Sequence, residues 1–233
     1  MSRTKLYTLT EEHRAQLIPW AQRWIANATS TAPMSAEEKI GCVDAVGRLY
    51  AAAHLPPPRV IFVSSPFVMR FAAGFAAAIW WQKKNATAAA TYATDAATRD
   101  ATRAATDAEA RAATDRWFQF DIKAMCQLDS HLHLHGFGLQ CASGAYRMWQ
   151  GGNQWSTWDS FLSFFRDVVK LPLEYTHYNA WEYLAKHSGP RIVHEKFCII
   201  SDRPEILQVD EQNRPHCQNG PFCRWRDGSA LYA

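Results

Sequence analysis

The stretch RIVHEKFCIISDRPEILQVD, residues 191–210, marks the point at which the sequence pattern changes from helical to β-like. Its runs RIVHEKFCII and EILQVD are typical of strands, and the polar turn SDRP separates them. Farther along, FCRWRDGSALY places Asp227–Gly228 between two short β-like runs, which is a strong signal for a two-residue hairpin. We therefore predict an antiparallel β-meander over residues 190–233 that packs on the rest of the chain.

The sequence before Pro190 predicts a mainly helical body over residues 1–189. Thr8 precedes Glu11, and Ser35 precedes Glu38, by the three residues of a capping box, so a helix should begin at each site. Pro19 should kink or interrupt the first of these helices. The whole chain is therefore expected to be an α+β protein.

One short strand is predicted near residues 59–64, inside the helical body. The run RVIFVSSP is apolar enough for a buried strand, and Ser65 with Pro66 has the pattern of a helix N-cap followed by a first helical residue. Such a joint could present backbone N–H groups to an anion, or it could be an ordinary turn between a strand and a helix.

Two further helices should follow the middle of the chain. Asn153 precedes the first, and YTHYNAWEYLAKHSGP predicts the second, which ends at Gly189–Pro190. In the first helix the large apolar residues fall on one broad face, which we expect to lie in the core. These residues are Trp155, Trp158, Phe161, Leu162, Phe165 and Val169.

The run ATYATDAATRDATRAATDAEARAATD, residues 90–115, contains almost only Ala, Thr and single charges. It lacks Gly and Pro, and Asp95–Arg99 and Asp107–Arg111 have the i,i+4 spacing of helical ion pairs. We predict one nearly unbroken helix over residues 86–128. Its small side chains suit either a spacer or an interface for self-association or for a protein partner.

Composition excludes several classes of protein. The net charge of +3 comes without a basic cluster, so nucleic acid binding is not indicated. The N-terminus does not resemble a secretion signal, and no apolar stretch is long enough for a membrane span, so we predict a cytoplasmic protein. The six cysteines form no CxxC pair, and we expect free thiols instead of disulfides.

The sequence HLHLH contains the residues that most resemble a metal site, His131, His133 and His135. On a strand, neighbouring histidines of this set would share one face, at a spacing compatible with one divalent ion such as zinc. Cys126 or Cys141 could add a ligand. The same histidines could also be part of a polar turn beside a glycine, so the metal is a possibility and no cofactor is certain.

Polar turns in the C-terminal section supply the other candidate binding residues. SDRPE and DEQNRPH concentrate charged and amide side chains, which can either lock turns or line a binding site. We predict that Arg203 and Arg214 pair with nearby carboxylates such as Asp202 or Asp210 and fix the meander on the helical body. The full candidate cluster is His194, Asp202, Arg203, Asp210, Asn213, Arg214 and His216.

Three blocks of the chain closely resemble an uncharacterised family found in bacteria and bacteriophages, a domain of unknown function. They are LYAAAHLPPPRVIFVSSP, GGNQWSTWDSFLSFFRDV and the segment from GPRIVHEKFC to GSALYA. The resemblance covers most of the chain outside the Ala/Thr run and implies no particular activity. Members of that family typically continue beyond the last hairpin with HG and a further region. We therefore expect this chain to be a short or a truncated member.

Two functions are compatible with these patterns. The first is a non-enzymatic binding or assembly protein in which the Ala/Thr helix sets a spacing or forms an interface. The alternative is a metal-assisted enzyme that uses the His and Arg/Asp groups of residues 126–223.

Overall fold

The computed structural model describes residues 8–85 and 149–232 of the 233-residue chain. These ranges contain helices and two small β-sheets, which confirms the α+β class. The predicted Ala/Thr helix over 86–128 lies outside the described residues, as do His131, His133, His135, Cys126 and Cys141.

The N-terminal half begins with two helices, α1 (Glu11–Ala28) and α2 (Ala36–Ala52). Ser35 and Glu38 form the predicted capping box of α2. The predicted cap of α1 was wrong by two residues, because Thr10 is the N-cap and pairs with His13. Helix α1 also continues through Pro19, which is exposed, so water can bind the carbonyl group that loses its N–H partner.

Strand β1 (Arg59–Val63) leads into helix α3 (Pro66–Asn85). Ser65 caps this helix as predicted, because its Oγ accepts from the backbone N–H of Val68 at 3.2 Å. The carboxylate of Asp227 lies beside this joint and accepts from the Ser64 hydroxyl at 2.7 Å. An anion of the chain itself therefore lies beside the start of α3.

The second described range contains β2 (Trp149–Gln150), a 3-10 turn (Asn153–Trp155), α4 (Thr157–Asp167) and α5 (Thr176–His187). Strands β3 (Arg191–His194), β4 (Phe197–Ser201), β5 (Ile206–Leu207), β6 (Cys223–Arg224) and β7 (Ala230–Leu231) follow. None of the described helices contains an apolar stretch that could cross a membrane.

A four-stranded mixed sheet has the strand order β1-β4-β3-β2. Strands β3 and β4 pair antiparallel, with Arg191 opposite Ile200, so RIVHEKFCII was wrongly predicted as one run and turns back at Glu195–Lys196. Strand β4 also pairs in parallel with β1, where Val60 lies opposite Cys198. The C-terminal strands are therefore not a separate layer, because the central strand takes a partner from the predicted helical body.

The remaining strands form an antiparallel sheet of order β5-β6-β7. The predicted hairpin joins β6 to β7, but its loop has three residues instead of two. The backbone N–H of Trp225 donates to the carbonyl of Ser229 at 2.8 Å, so residues 226–228 form the loop. Gly228 has φ +89°, which is the position that such a loop reserves for glycine.

The hydrophobic core lies between the mixed sheet and the helices α2 and α5. Cys198 and Ile200 lie on the same face of β4 because strand residues alternate sides, and both are fully buried. They pack with residues of the two helices, namely Cys42, Ala45, Val46, Tyr50, Ala180 and Leu184. Strand β4 is buried along its whole length.

The chain divides into two compact units, residues 1–69 with 148–233 and residues 70–147. This division differs from the boundary predicted at residue 189, because the parallel pairing of β1 with β4 joins sequence from both sides of that boundary.

The face expected for α4 was wrong at three positions. Trp158, Phe161 and Leu162 are 63%, 55% and 43% exposed, whereas Val169, just beyond the helix, is buried as predicted. The residues of α4 that are buried are Asp159, Ser163 and Phe164. Ser163 points inward because its hydroxyl finds hydrogen-bond partners. The indole N–H of Trp24, for example, donates to the Ser163 hydroxyl at 3.0 Å.

Candidate functional site

Arg203 is the predicted site residue that the structure buries most deeply, with 4% of its surface exposed. Its Nη2 donates to Glu38 Oε1 at 2.6 Å, and its Nη1 donates to the carbonyl of Ala32 at 3.2 Å. The predicted pairing of the Arg203 guanidinium with Asp202 or Asp210 was therefore wrong. Its carboxylate partner comes from the first turn of α2, so Arg203 does hold the C-terminal section on the helical body.

Asp202 uses its side chain to hold the segment that precedes α2. Its Oδ1 accepts from the backbone N–H groups of Met34 at 2.9 Å and Arg203 at 2.8 Å. Arg226 adds to the same junction, since its guanidinium donates to the carbonyls of Arg203 and Thr31. Through these contacts, residues 202–203 and the C-terminal hairpin hold in place the segment of chain between α1 and α2.

Glu38 is the centre of this junction, and its role there was not predicted beyond the capping box. It accepts from the backbone N–H of Ser35 at 2.8 Å, and its Oε1 lies 3.1 Å from His187 Nδ1. Burial alone would raise the pKa of Glu38, but the hydrogen bonds from Arg203, Ser35 and His187 outweigh it and lower the pKa to about 2. The capping-box spacing identified Glu38, but sequence could not show a partner 149 residues away.

The second predicted polar turn is exposed and closes on itself. Asp210 Oδ1 accepts from the backbone N–H groups of Gln212 and Arg214, and its Oδ2 accepts from Arg214 Nε at 2.7 Å. The predicted pairing of Arg214 with Asp210 is thus confirmed. Because 71% of the Arg214 side chain is exposed, the pair stabilises only its own turn, in which Asn213 has φ +59°.

The two predicted histidines of the C-terminal section occupy different places, since His194 ends β3 and His216 closes the DEQNRPH turn. His194 Nδ1 accepts from the backbone N–H of Lys196 at 3.2 Å, and its ring stacks on Phe197. The backbone N–H of His216 donates to the carbonyl of Gln208. The described contacts place Asp202 with Arg203 in one local group, and Asp210 with Asn213 and Arg214 in another.

Metal ligands do not cluster in the described ranges 8–85 and 149–232, where no group of three or more His, Cys, Asp or Glu could hold an ion. The thiols of Cys198 and Cys223 are buried, and burial raises the pKa of each to about 12. These two cysteines are therefore inert core residues.

A second polar cluster, which sequence analysis missed, is buried between the 3-10 turn, α4, α5 and β3. Arg191 is 1% exposed and Asp159 is 2% exposed, and each retains polar side-chain atoms without a hydrogen-bond partner. The indole ring of Trp181 lies 4.6 Å from the Arg191 guanidinium carbon. One sequence signal could have pointed to it, namely an arginine that opens an apolar strand directly after Gly189–Pro190.

The pKa of Asp159 is unusually high for a carboxylic acid. Burial raises its pKa to about 6, and the positive charge of Arg191 only partly opposes this effect. The nearby Glu182 adds to the increase, although its own charge is balanced by Arg166 at 2.7 Å and Lys186 at 2.8 Å. Asp159 is thus the carboxylate in this cluster whose charge is least compensated.

The exposed part of α4 borders this buried cluster. Trp158 and Phe161 lie with ring centroids 6.4 Å apart, and Leu162 continues the same apolar face. The molecule therefore combines a buried polar cluster with an exposed apolar helix face on one helix.

No protein-family model, curated protein or solved structure matches this chain.

Proposed function

We propose that this protein is a non-enzymatic binding protein that recognises a protein partner through the exposed face of α4. The observation that carries the proposal is the exposure of Trp158, Phe161 and Leu162 at helical positions i, i+3 and i+4. Exposing large apolar side chains to water is unfavourable, and a cluster of them on one face is typical of a recognition surface.

The partner is a protein with an apolar groove. The i, i+3, i+4 spacing is the pattern by which helices insert side chains into such grooves. Trp158, Phe161 and Leu162 expose on the order of 300 Å² of side chain, whereas each side of a standard protein interface buries about 800 Å². A flat contact between two copies of this face would be too small for a stable dimer, while a groove encloses the helix on several sides.

Helix α4 is held in place before any partner binds. The indole N–H of Trp20 donates to the carbonyl of Ser160 at 3.0 Å, and Arg166 makes two hydrogen bonds to Glu182 of α5. A partner therefore binds a helix that is already ordered, and the binding energy is not spent on folding it.

The Ala/Thr run adds the assembly part of the proposal. A helix over residues 86–128 would act as a spacer or as an interface for self-association or a protein partner, on the basis of its composition alone. We also propose that the protein is cytoplasmic and that it belongs to the uncharacterised bacterial and bacteriophage family.

The alternative proposal is a metal-assisted enzyme. It depends on His131, His133 and His135, and on the Arg/Asp groups of residues 126–223. Metal analysis of protein purified without a histidine tag separates the two proposals. One zinc or other divalent ion per chain would favour the enzyme, and a metal-free oligomer would favour the binding protein.

Affinity capture followed by titration of the purified partner tests the α4 surface. The full chain and its Phe161→Glu variant capture proteins from a lysate of the source organism, and each protein lost with Phe161→Glu is purified and titrated. We expect Phe161→Glu to weaken binding by about 30-fold, since an anchor of this kind contributes about 2 kcal/mol. Ile40→Glu on α2 is the matched control, because Ile40 is 70% exposed and lies on another helix.

Two results would contradict this proposal. A purified partner that binds both variants as tightly as the parent would remove α4 from the interface. A dimer of the parent protein that Phe161→Glu dissociates, in sedimentation without any partner, would replace the groove-bearing protein with a second copy of this chain.

A further inference from the structure

Arg191 and Asp159 are buried charged residues whose side chains do not satisfy each other. The Nε and Nη2 atoms of Arg191 and the Oδ1 atom of Asp159 are all buried without a hydrogen-bond partner. Leaving such groups unpaired in a protein interior costs free energy, and native structures rarely retain them without a reason. A third group bound between them would satisfy the unpaired atoms of both charges.

The free edge of Arg191 has a defined shape. The Nη1 atom donates to the carbonyl of Gly151 at 2.7 Å, which fixes one end of the guanidinium. The Nε and Nη2 atoms remain, and their N–H bonds point in parallel from one planar edge. This edge matches the two oxygens of a carboxylate, which it can bind with two parallel hydrogen bonds.

Asp159 supplies the complementary charge. The Trp181 indole contacts both Asp159 and Arg191, which places the two groups in one cluster, although the free atoms on each side do not bond directly. Glu182 does not compete with Asp159 for Arg191, because the Glu182 carboxylate already binds Arg166 and Lys186. The free oxygen of Asp159 needs a donor, and an ammonium group is the donor that also matches its charge.

Trp181 is the most exposed residue of this cluster, whereas Arg191 and Asp159 are buried. Its indole contacts the Arg191 guanidinium and also forms a hydrogen bond to Asp159, yet 36% of the residue remains exposed. Trp181 is therefore the side chain whose displacement would expose the two charges to a small molecule.

We propose that Arg191 and Asp159 form a binding site for a small zwitterion, an α-amino acid. Its carboxylate binds the Nε/Nη2 edge of Arg191, and its ammonium group binds Oδ1 of Asp159. A simple anion would be repelled by Asp159, and a simple cation would be repelled by Arg191. A ligand that carries both charges is attracted by both residues. The site is separate from the apolar face of α4 and does not depend on the proposed function.

Calorimetric titration of the full chain with each standard α-amino acid, at neutral pH, tests the site. We expect at least one amino acid to bind with one-to-one stoichiometry and to raise the melting temperature. Its N-acetyl and carboxamide derivatives, which each lack one of the two charges, should bind at least about tenfold more weakly. This comparison uses the parent protein only, so it does not depend on the folding of a variant.

Variants then assign the binding to the two residues. Asp159→Asn and Arg191→Lys should each weaken binding at least about tenfold, whereas the control Asp44→Asn, on the exposed side of α2, should bind like the parent. The proposal is overturned if no standard amino acid binds at concentrations up to about 10 mM. It is also overturned if the N-acetyl derivative binds as tightly as the amino acid, or if folded Asp159→Asn retains parental affinity.

Discussion

Three arginines in this chain show how burial decides what one residue type does. Arg203 is buried and paired with a carboxylate, Arg191 is buried with a free edge, and Arg214 is exposed in a self-contained turn. A buried charge without its partner is costly, whereas an exposed pair contributes little because water solvates both members well. The sequence contexts DRP and NRP are nearly alike, so they could not distinguish the first case from the third.

Arg203→Ala should lower the free energy of unfolding by about 3–5 kcal/mol, because it leaves the Glu38 carboxylate half-buried without its guanidinium. Arg214→Ala should lower it by less than about 1 kcal/mol. Urea denaturation of both variants and the parent measures the difference. Equal losses in the two variants would show that the Arg203–Glu38 contact does not hold the C-terminal section.

Asp159 should make part of the stability depend on pH. Its folded pKa of about 6 exceeds its ordinary value of 3.8 because burial disfavours the charged carboxylate, while Arg191 partly opposes and Glu182 adds to this effect. The folded protein then binds the proton more tightly than the unfolded chain does. This contribution is fully present below about pH 4 and is lost as the pH rises through about 6.

Asp159→Asn provides the measurement, since it removes the titrating group and keeps the side-chain shape. Relative to Asp159→Asn, the free energy of unfolding of the parent should fall by on the order of 2 kcal/mol between about pH 4 and pH 7. Chemical denaturation across this range follows the shift. A difference that stays constant with pH, or that changes in the opposite direction, would refute the raised pKa of Asp159.

At the scale of elements, the contact between α2 and α5 depends on a missing side chain. A Cβ atom built on Gly41 would lie 2.0 Å from the hydroxyl oxygen of Tyr183, so any side chain at this position must displace the Tyr183 ring. Gly47, on the same helix, would meet no atom within 4 Å. The two glycines look equivalent in the sequence, and only the packing of α5 separates them.

Gly41→Ala and Gly47→Ala should therefore change stability in opposite directions. Gly47→Ala should raise it by up to about 1 kcal/mol, because alanine favours the helix over the unfolded chain. Gly41→Ala should lower it by about 1–3 kcal/mol, because the Tyr183 ring must move out of the core contact. Thermal denaturation of the matched pair decides the matter, and a stabilised Gly41→Ala would show that α2 and α5 are less closely packed.

Helix α4 shows the limit of periodicity at the same scale. The pattern correctly predicts a helix with an apolar stripe, but it assigns Trp158, Phe161 and Leu162 to the core. The structure buries Ser163 and Asp159 instead, because Trp24 and Arg191 provide partners or charge on that side. Periodicity reports that a face is apolar, and only the neighbouring elements determine which face they cover.

At the scale of the whole molecule, the mixed sheet unites distant parts of the chain. Pairing of β1 with β4 brings residue 59 beside residue 197, and α2 and α5 cover the face that carries Cys198 and Ile200. The cysteines follow this architecture. In the described ranges Cys42, Cys198 and Cys223 are buried free thiols, and Cys217 is partly exposed.

The reactivity of the thiols should show which cysteines are buried in the folded protein. Burial raises the pKa of Cys42, Cys198 and Cys223 to about 12, so a thiolate-specific reagent should not modify them in the folded protein. Cys217→Ser should remove one rapidly reacting thiol, whereas Cys198→Ser should remove none. In denaturant the parent should show all six cysteines as free thiols. Fewer than six would reveal a disulfide and contradict the predicted compartment.

The sequence by itself determined the α+β class, the capping box at Ser35, the Ser65 cap and the turn at Asp227–Gly228. These features depend on residues close to one another in the chain, so local propensity and hydrogen bonding are sufficient to predict them. Only the tertiary structure decided that β4 pairs with β1, that Glu38 binds Arg203 and that the Trp24 indole donates to Ser163. Each of these contacts joins residues far apart in sequence, and the packing of whole elements determines which distant side chains become neighbours.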